Sequence, residues 1–114
     1  MDGADAENRA LVFLQGQGLK LIERNWRCKA GELDLVMLEG DTVVIVEVSG
    51  RSRDDHGDAA ETVDRRKRRK IINATLLWLA ARPQYEEWPL RFDVVTLDAT
   101  GQVEWLQEAF DADD

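Results

Sequence analysis

Two carboxylates, Asp34 and Glu47, are the residues of this sequence best placed to do chemistry. Each sits within or beside an apolar run, 33–38 and 42–48, in the stretch GELDLVMLEGDTVVIVEVSGR that covers residues 31–51. Runs rich in Val, Ile and Leu, separated by Glu39-Gly40-Asp41, predict a β-hairpin. With Gly40-Asp41 as a two-residue loop, Glu39 pairs with Thr42, and the same register sets Asp34 opposite Glu47 and Glu32 opposite Ser49. Alternation then places Val36, Leu38, Val43 and Ile45 on the face of the two acids, and Leu33, Leu35, Met37, Val44, Val46 and Val48 on the other. Both faces are apolar enough to be buried. Two ionised carboxylates ~5 Å apart at an effective dielectric near ~20 repel by roughly 3 kcal/mol, a large share of a small domain's stability. A shared proton, a basic neighbour or a bound divalent cation offsets such a cost, and hard oxygen ligands on two strands suit Mg²⁺ or Mn²⁺. The structural alternative is a salt-bridge network with Arg51 or Arg91.

The elements that must position this pair follow along the chain. Residues 4–16 read as a helix with Ala6, Ala10, Phe13 and Leu14 inward, capped by Asp2 or Asp5 and ended by Gly16 and Gly18. Glu7 lies at the edge of that inward stripe. There it is either an acid welcomed by the helix N-terminus or a third carboxylate facing the hairpin. Residues 19–28, with Ile22, Trp26 and Cys28, predict a strand leading into the hairpin. The polar stretch 50–62, holding Arg51, Arg53 and the single His56, reads as a long loop suited to a lid or clamp. Asp64 caps a helix over 65–82 that Pro83 stops. Its first turns carry Arg65, Arg66, Lys67, Arg68, Arg69 and Lys70, and its later part is apolar over a wide arc. Six cations at a helix N-terminus oppose the dipole and one another, a cost that phosphate contact relieves and that a solvated face merely tolerates. Strands at 91–98 and 103–106 complete the order α-β-β-β-α-β-β. A helix between the second hairpin strand and the next strand implies a right-handed parallel crossover. The expected fold class is α/β, a mixed five-stranded sheet flanked by helices in one domain, 1–114, with loose ends at about 1–4 and 111–114.

Composition narrows the function classes. The 114 residues are 44% hydrophobic with eight Gly and two Pro, which suits a folded domain rather than a disordered or fibrous chain. The single Cys28 makes no intramolecular disulfide, and no Cys/His cluster points to zinc, so a reducing, cytoplasmic compartment is expected. No signal peptide or membrane-spanning run is legible. The net charge of −8 disfavours indiscriminate nucleic-acid binding, yet residues 51–70 hold eight basic and five acidic side chains. His56 has no nucleophile beside it, and there is no glycine-rich phosphate loop.

The motifs together resemble a known family. Asn25-Trp26-Arg27, Gly31-Glu32-Leu33-Asp34-Leu35, Val46-Glu47-Val48, Arg51, Lys67, Arg91-Phe92-Asp93 and Ala109-Phe110, in this order, resemble the YraN-like family of uncharacterised bacterial proteins. That family in turn looks like Holliday-junction resolvases and restriction endonucleases, the PD-(D/E)XK nuclease superfamily. The resemblance implies a restriction-endonuclease-like fold and Mg²⁺- or Mn²⁺-dependent phosphodiester hydrolysis on DNA, with a homodimer as the assembly. It implies metal binding by Asp34, Glu47 and the backbone carbonyl of Val48, with Glu7 as the helix-borne acid. Nucleic-acid contacts are expected from Arg51, Arg53, Arg65, Arg66, Lys67, Arg69 and Lys70. At Ser49 the chain departs from the family, whose members typically carry a Lys there to orient the attacking water and stabilise charge. Lys67, Lys70 or Arg51 would have to replace it. The alternative is an inactive nucleic-acid-binding or protein-interaction module on the same scaffold.

Overall fold

A computed structural model describes residues 3–50 and 63–113. The stretch expected as a loop, with Arg51, Arg53 and His56, lies outside the described residues. The elements are α1 (Gly3–Gly16), β1 (Lys20–Cys28), β2 (Gly31–Glu39), β3 (Thr42–Gly50), α2 (Arg65–Ala80), β4 (Leu90–Leu97) and β5 (Val103–Phe110), with a short 3-10 turn at Pro83–Tyr85. They build one five-stranded sheet in the order β1-β2-β3-β4-β5. Only β3 and β4 run parallel, joined through α2, and the other neighbours are antiparallel. This is the expected mixed sheet and element order, consistent with a restriction-endonuclease-like fold.

The hairpin forms in the register its turn dictates. Glu39 pairs with Thr42 and Leu35 with Val46, and Gly40 takes a left-handed φ of 59° that a two-residue turn demands. The sheet is buried on both faces. On one, α1 contributes Ala6, Ala10 and Leu14 against Leu35, Met37, Val44, Val46, Val95 and Leu97. On the other, α2 contributes Ile71, Ile72, Ala74 and Trp78 against Val36, Val43, Ile45, Phe92 and Val94.

One side chain crosses from its expected face. Leu33 packs in the α2-side cluster with Val36, three residues on, instead of joining Leu35 and Met37. The cause lies in β1. Its register runs Arg24 to Leu35 and Trp26 to Leu33, which brings Asn25 to the level of Asp34, and Asn25 has a left-handed φ of 54°. Asn tolerates that conformation, and the twist it introduces breaks the two-residue alternation beside Asp34.

Two further expectations are corrected at the chain's second half. Leu76 and Leu77 face solvent, so α2 is apolar over a narrower arc than its composition suggests. Strand β5 runs on to Phe110, well past residue 106, through an irregularity at which Glu108 has φ 53° and donates its N–H to Asp93 Oδ1.

Candidate functional site

The acid pair is built by the hairpin. The β2–β3 ladder ends at Leu35 and Val46, and one step further the same register brings Asp34 and Glu47 together. Asp34 Oδ2 accepts a hydrogen bond from the Val48 N–H at 2.9 Å, so a side chain holds the strand where the ladder stops. Glu47 is only 7% exposed. Burial, and after it the Glu47 charge, pushes the Asp34 carboxyl up to about 7, against the pull of the Val48 N–H, and the two carboxyls are hydrogen-bonded to each other. A proton shared between them is thus one answer to their repulsion.

A basic neighbour is the second answer, and it comes from α2. Lys67 Nζ stands 2.6 Å from Glu47 Oε1. Desolvation pulls the Lys67 ammonium down, but its hydrogen bond to Glu47 and the charges of Glu47 and Asp34 outweigh this and raise it above the ordinary value. Lys67 is therefore a fixed cation at neutral pH. The Asp64 side chain, accepting from the Lys67 N–H at 2.8 Å, starts the helix as its sequence position predicts and fixes the turn that carries Lys67.

Acids and cations share one open cleft of ≈ 640 Å³. Its walls are Gly31, Glu32, Asp34 and Glu47 from the hairpin, and Asp64, Arg66, Lys67, Lys70 and Ile71 from the start of α2. The six cations are therefore sorted. Arg66, Lys67 and Lys70 face the cleft, and Arg68 folds back to donate to the Val63 carbonyl at 2.8 Å and lie over the Phe110 ring. Arg65 and Arg69 are not among its walls. Arg66 and Lys70 have no acidic partner among the described residues.

The remaining candidates fall elsewhere. Glu7 does not wall the cleft: its Oε1 is 3.7 Å from Arg24 and, though buried, has no hydrogen-bond partner. Its carboxyl is raised by burial and by the Asp34 charge, and lowered by Arg24 and by a hydrogen bond with Asn25. Ser49 pairs with Thr96 of β4, one pair before the end of the parallel ladder. Arg91 does not serve Asp34 and Glu47, which removes one of the two structural networks expected for that pair. It binds Asp93 through Nε at 2.9 Å and Nη2 at 3.0 Å, and Glu39 through Nη1 at 2.7 Å. Fully buried, Asp93 also accepts from Trp105 Nε1 and the Glu108 N–H, so this second acid cluster is saturated and structural. Sequence reasoning overlooked Thr96 and the wall role of Gly31. The signal for Thr96 was a hydroxyl inside the apolar strand run Val-Val-Thr-Leu.

The donor set fits a divalent cation of the Mg²⁺ kind. Among the described residues no group of three His, Cys, Asp or Glu side chains is placed to hold a metal ion. Two adjoining carboxylates are nevertheless a set that Mg²⁺ uses with water completing its shell, and a cation there would take over the charge balance of the shared proton.

Comparison with known proteins gives the lineage. A family model described as uncharacterised protein family UPF0102 matches residues 6–97. This chain belongs to the UPF0102 family. A UPF0102 protein of Pseudomonas fluorescens strain Pf0-1 is 51% identical over 111 residues, covering 96% of this chain and 92% of the relative. A UPF0102 protein of Stutzerimonas stutzeri is 50% identical over 113 residues, covering 96% and 94%. A third, from Pseudomonas putida strain GB-1, is 48% identical over 113 residues, covering 96% and 92%. The YraN-like family expected from the motifs is thereby confirmed. Within the described part of this UPF0102 chain, no helix is long and apolar enough to cross a membrane.

Proposed function

We propose that this UPF0102 protein is a metal-dependent phosphodiesterase acting on nucleic acid, DNA before RNA, with the reaction centred on Asp34 and Glu47. The observation that carries the reading is the pairing of half-buried Asp34 with buried Glu47 in a cleft whose opposite wall is cationic. When bound there, Mg²⁺ or Mn²⁺ supplies a Lewis acid for the phosphate and lowers the pKa of a water. The protein's own groups do the rest. Asp34 and Glu47 would hold the ion with the Val48 carbonyl, and Lys67, beside Glu47, would provide to the phosphate oxygens the positive charge that Ser49 cannot. As an ammonium with a raised pKa, Lys67 stabilises charge and does not take a proton. Arg66 and Lys70 take neighbouring phosphates of the strand. The resemblance to resolvases adds branched DNA as the substrate and a homodimer matched to its two-fold symmetry.

The test is cleavage of labelled four-way-junction, duplex and single-stranded DNA with Mg²⁺ or Mn²⁺. Cleavage is expected from the native protein, none from Asp34→Ala, and a 10²-fold or greater loss, roughly, in Lys67→Met. Full activity in Lys67→Met moves the cationic role elsewhere. Silence in the native protein, with cleavage appearing in Ser49→Lys, would show that the scaffold has lost the reaction. The binding-only module draws on the Lys67–Glu47 ion pair, which already balances one carboxylate without a metal. It predicts DNA binding indifferent to Mg²⁺.

A further inference from the structure

Beyond the acid pair, the α2-side face of the sheet changes character within two residues. Ile45, Phe92 and Val94 belong to the α2-side core, Glu47 follows Ile45 on that face, and the next inward positions are Ser49 on β3 and Thr96 on β4. These two pair directly across the parallel ladder, and Glu104 pairs with Thr96 from β5. Thr96 is 0% exposed, and its Oγ1 is buried without a hydrogen-bond partner. A valine would fill the same space and bury no hydroxyl. An unpaired hydroxyl in such a place is costly, whereas a bridging water relieves it if a second polar group stands near. Ser49, half-buried on the adjacent strand, is that group.

We propose that the Ser49 and Thr96 hydroxyls together hold one water molecule on the α2-side face, next to Glu47. Two residues along a strand span about 7 Å, so this water lies beside the carboxylates rather than between them. Its placement rests on the hydroxyl pair alone. Its role rests on the phosphodiesterase reading: it is the reservoir from which the attacking water is drawn and oriented, and Ser49 and Thr96 are positioning residues.

A thermal-unfolding cycle on the full metal-free chain decides the placement. Thr96→Val, which removes the hydroxyl at constant shape, is expected to lower Tm by about 3–6 °C. Ser49→Ala is expected to lower it also, and the double variant Ser49→Ala/Thr96→Val to lose no more than the larger single loss, since both substitutions remove the same bridge. A rise in Tm in Thr96→Val, or losses that add, overturns the proposal. If Thr96→Val does not fold, the hydroxyl-keeping Thr96→Ser decides: Ser49→Ala must lower Tm in the serine variant by about as much as in the native chain, and no loss in either background overturns the proposal. Where the native protein cleaves DNA, Thr96→Val and Ser49→Ala are each expected to lower kcat about tenfold with KM and the Mg²⁺ requirement unchanged. Unchanged kcat alongside a non-additive unfolding cycle rejects the role and keeps the water. No cleavage by the native protein rejects the phosphodiesterase reading, and the unfolding cycle still stands.

Discussion

Asp34 shows how one residue links folding to chemistry. Its ordinary value is 3.8 and in the fold it lies at about 7, raised by burial and then by Glu47. Between those values the folded chain holds a proton that the unfolded chain has released, so stability is complete below about pH 4, falls as pH rises toward 7, and levels above it. The metal-free native protein should therefore lose Tm over that window relative to Asp34→Asn, which needs no proton. The gap expected by pH 8 is roughly 15 °C. Glu7, also raised, contributes with the same sign: the share due to its own burial is common to both proteins, and the share due to the Asp34 charge is absent in Asp34→Asn and adds to the gap. Equal pH profiles for the two proteins would show that Asp34 is not protonated in the fold. Mg²⁺ added at pH 8 should narrow the gap by binding native protein in the proton's place.

At the scale of elements, the question is what holds α2 at the distance that lets Lys67 reach Glu47. Packing of α2 falls chiefly on β2, and Gly31 lets the strand come close to the helix at Lys70. A Cβ built there would lie 3.3 Å from the Lys70 carbonyl oxygen and 3.5 Å from Lys70 Cβ, at a φ of +157° that side chains rarely adopt. Gly31→Ala should push α2 outward by a few tenths of an ångström at Lys70, one turn from Lys67. The Lys67–Glu47 contact should loosen while the fold persists. The expected readout is an NMR titration in which the Lys67 ammonium moves down toward its ordinary value, since the hydrogen bond to Glu47 is its main raising influence. An unchanged titration would mean that Asp64 and the core residues of α2 position Lys67 without help from Gly31. The same element explains what its composition could not reveal. Six consecutive cations are plain in the sequence, but which of them meet the acids depends on the rotation of α2 over the sheet, set by the burial of Ile71, Ile72, Ala74, Thr75 and Trp78.

Over the whole molecule, a net charge of −8 surrounds a cleft with one cationic wall. The acidic excess of the chain disfavours a polyanion on most surfaces, so among the described residues nucleic-acid binding should concentrate along α2 and depend steeply on salt. With Arg66, Lys67 and Lys70 as the phosphate contacts among the described residues, the slope of log K against log salt on duplex DNA should be about −3, counting roughly −0.9 for each contact. Arg66→Gln should reduce it by about one. Arg65→Gln, outside the cleft walls, should leave it unchanged. A slope that responds equally to both substitutions would place the DNA along the exposed back of α2.

Much of this architecture was written locally. The register of the hairpin follows from Gly40-Asp41 and from alternation, the cap at Asp64 from its position before a helical run, and the meeting of Asp34 with Glu47 from the register itself. These depend on backbone geometry over a few residues, which sequence specifies directly. What only tertiary packing decided depends on rotations and offsets between elements. A left-handed Asn25 in the neighbouring strand sends Leu33 to the α2 side. Arg91 belongs to Asp93 and Glu39, at a distance from the acid pair, because strand β4 fixes which residues lie beside it. The rotation of α2 over the hairpin, with Gly31 giving it room, chose Lys67 among six cations to face Glu47.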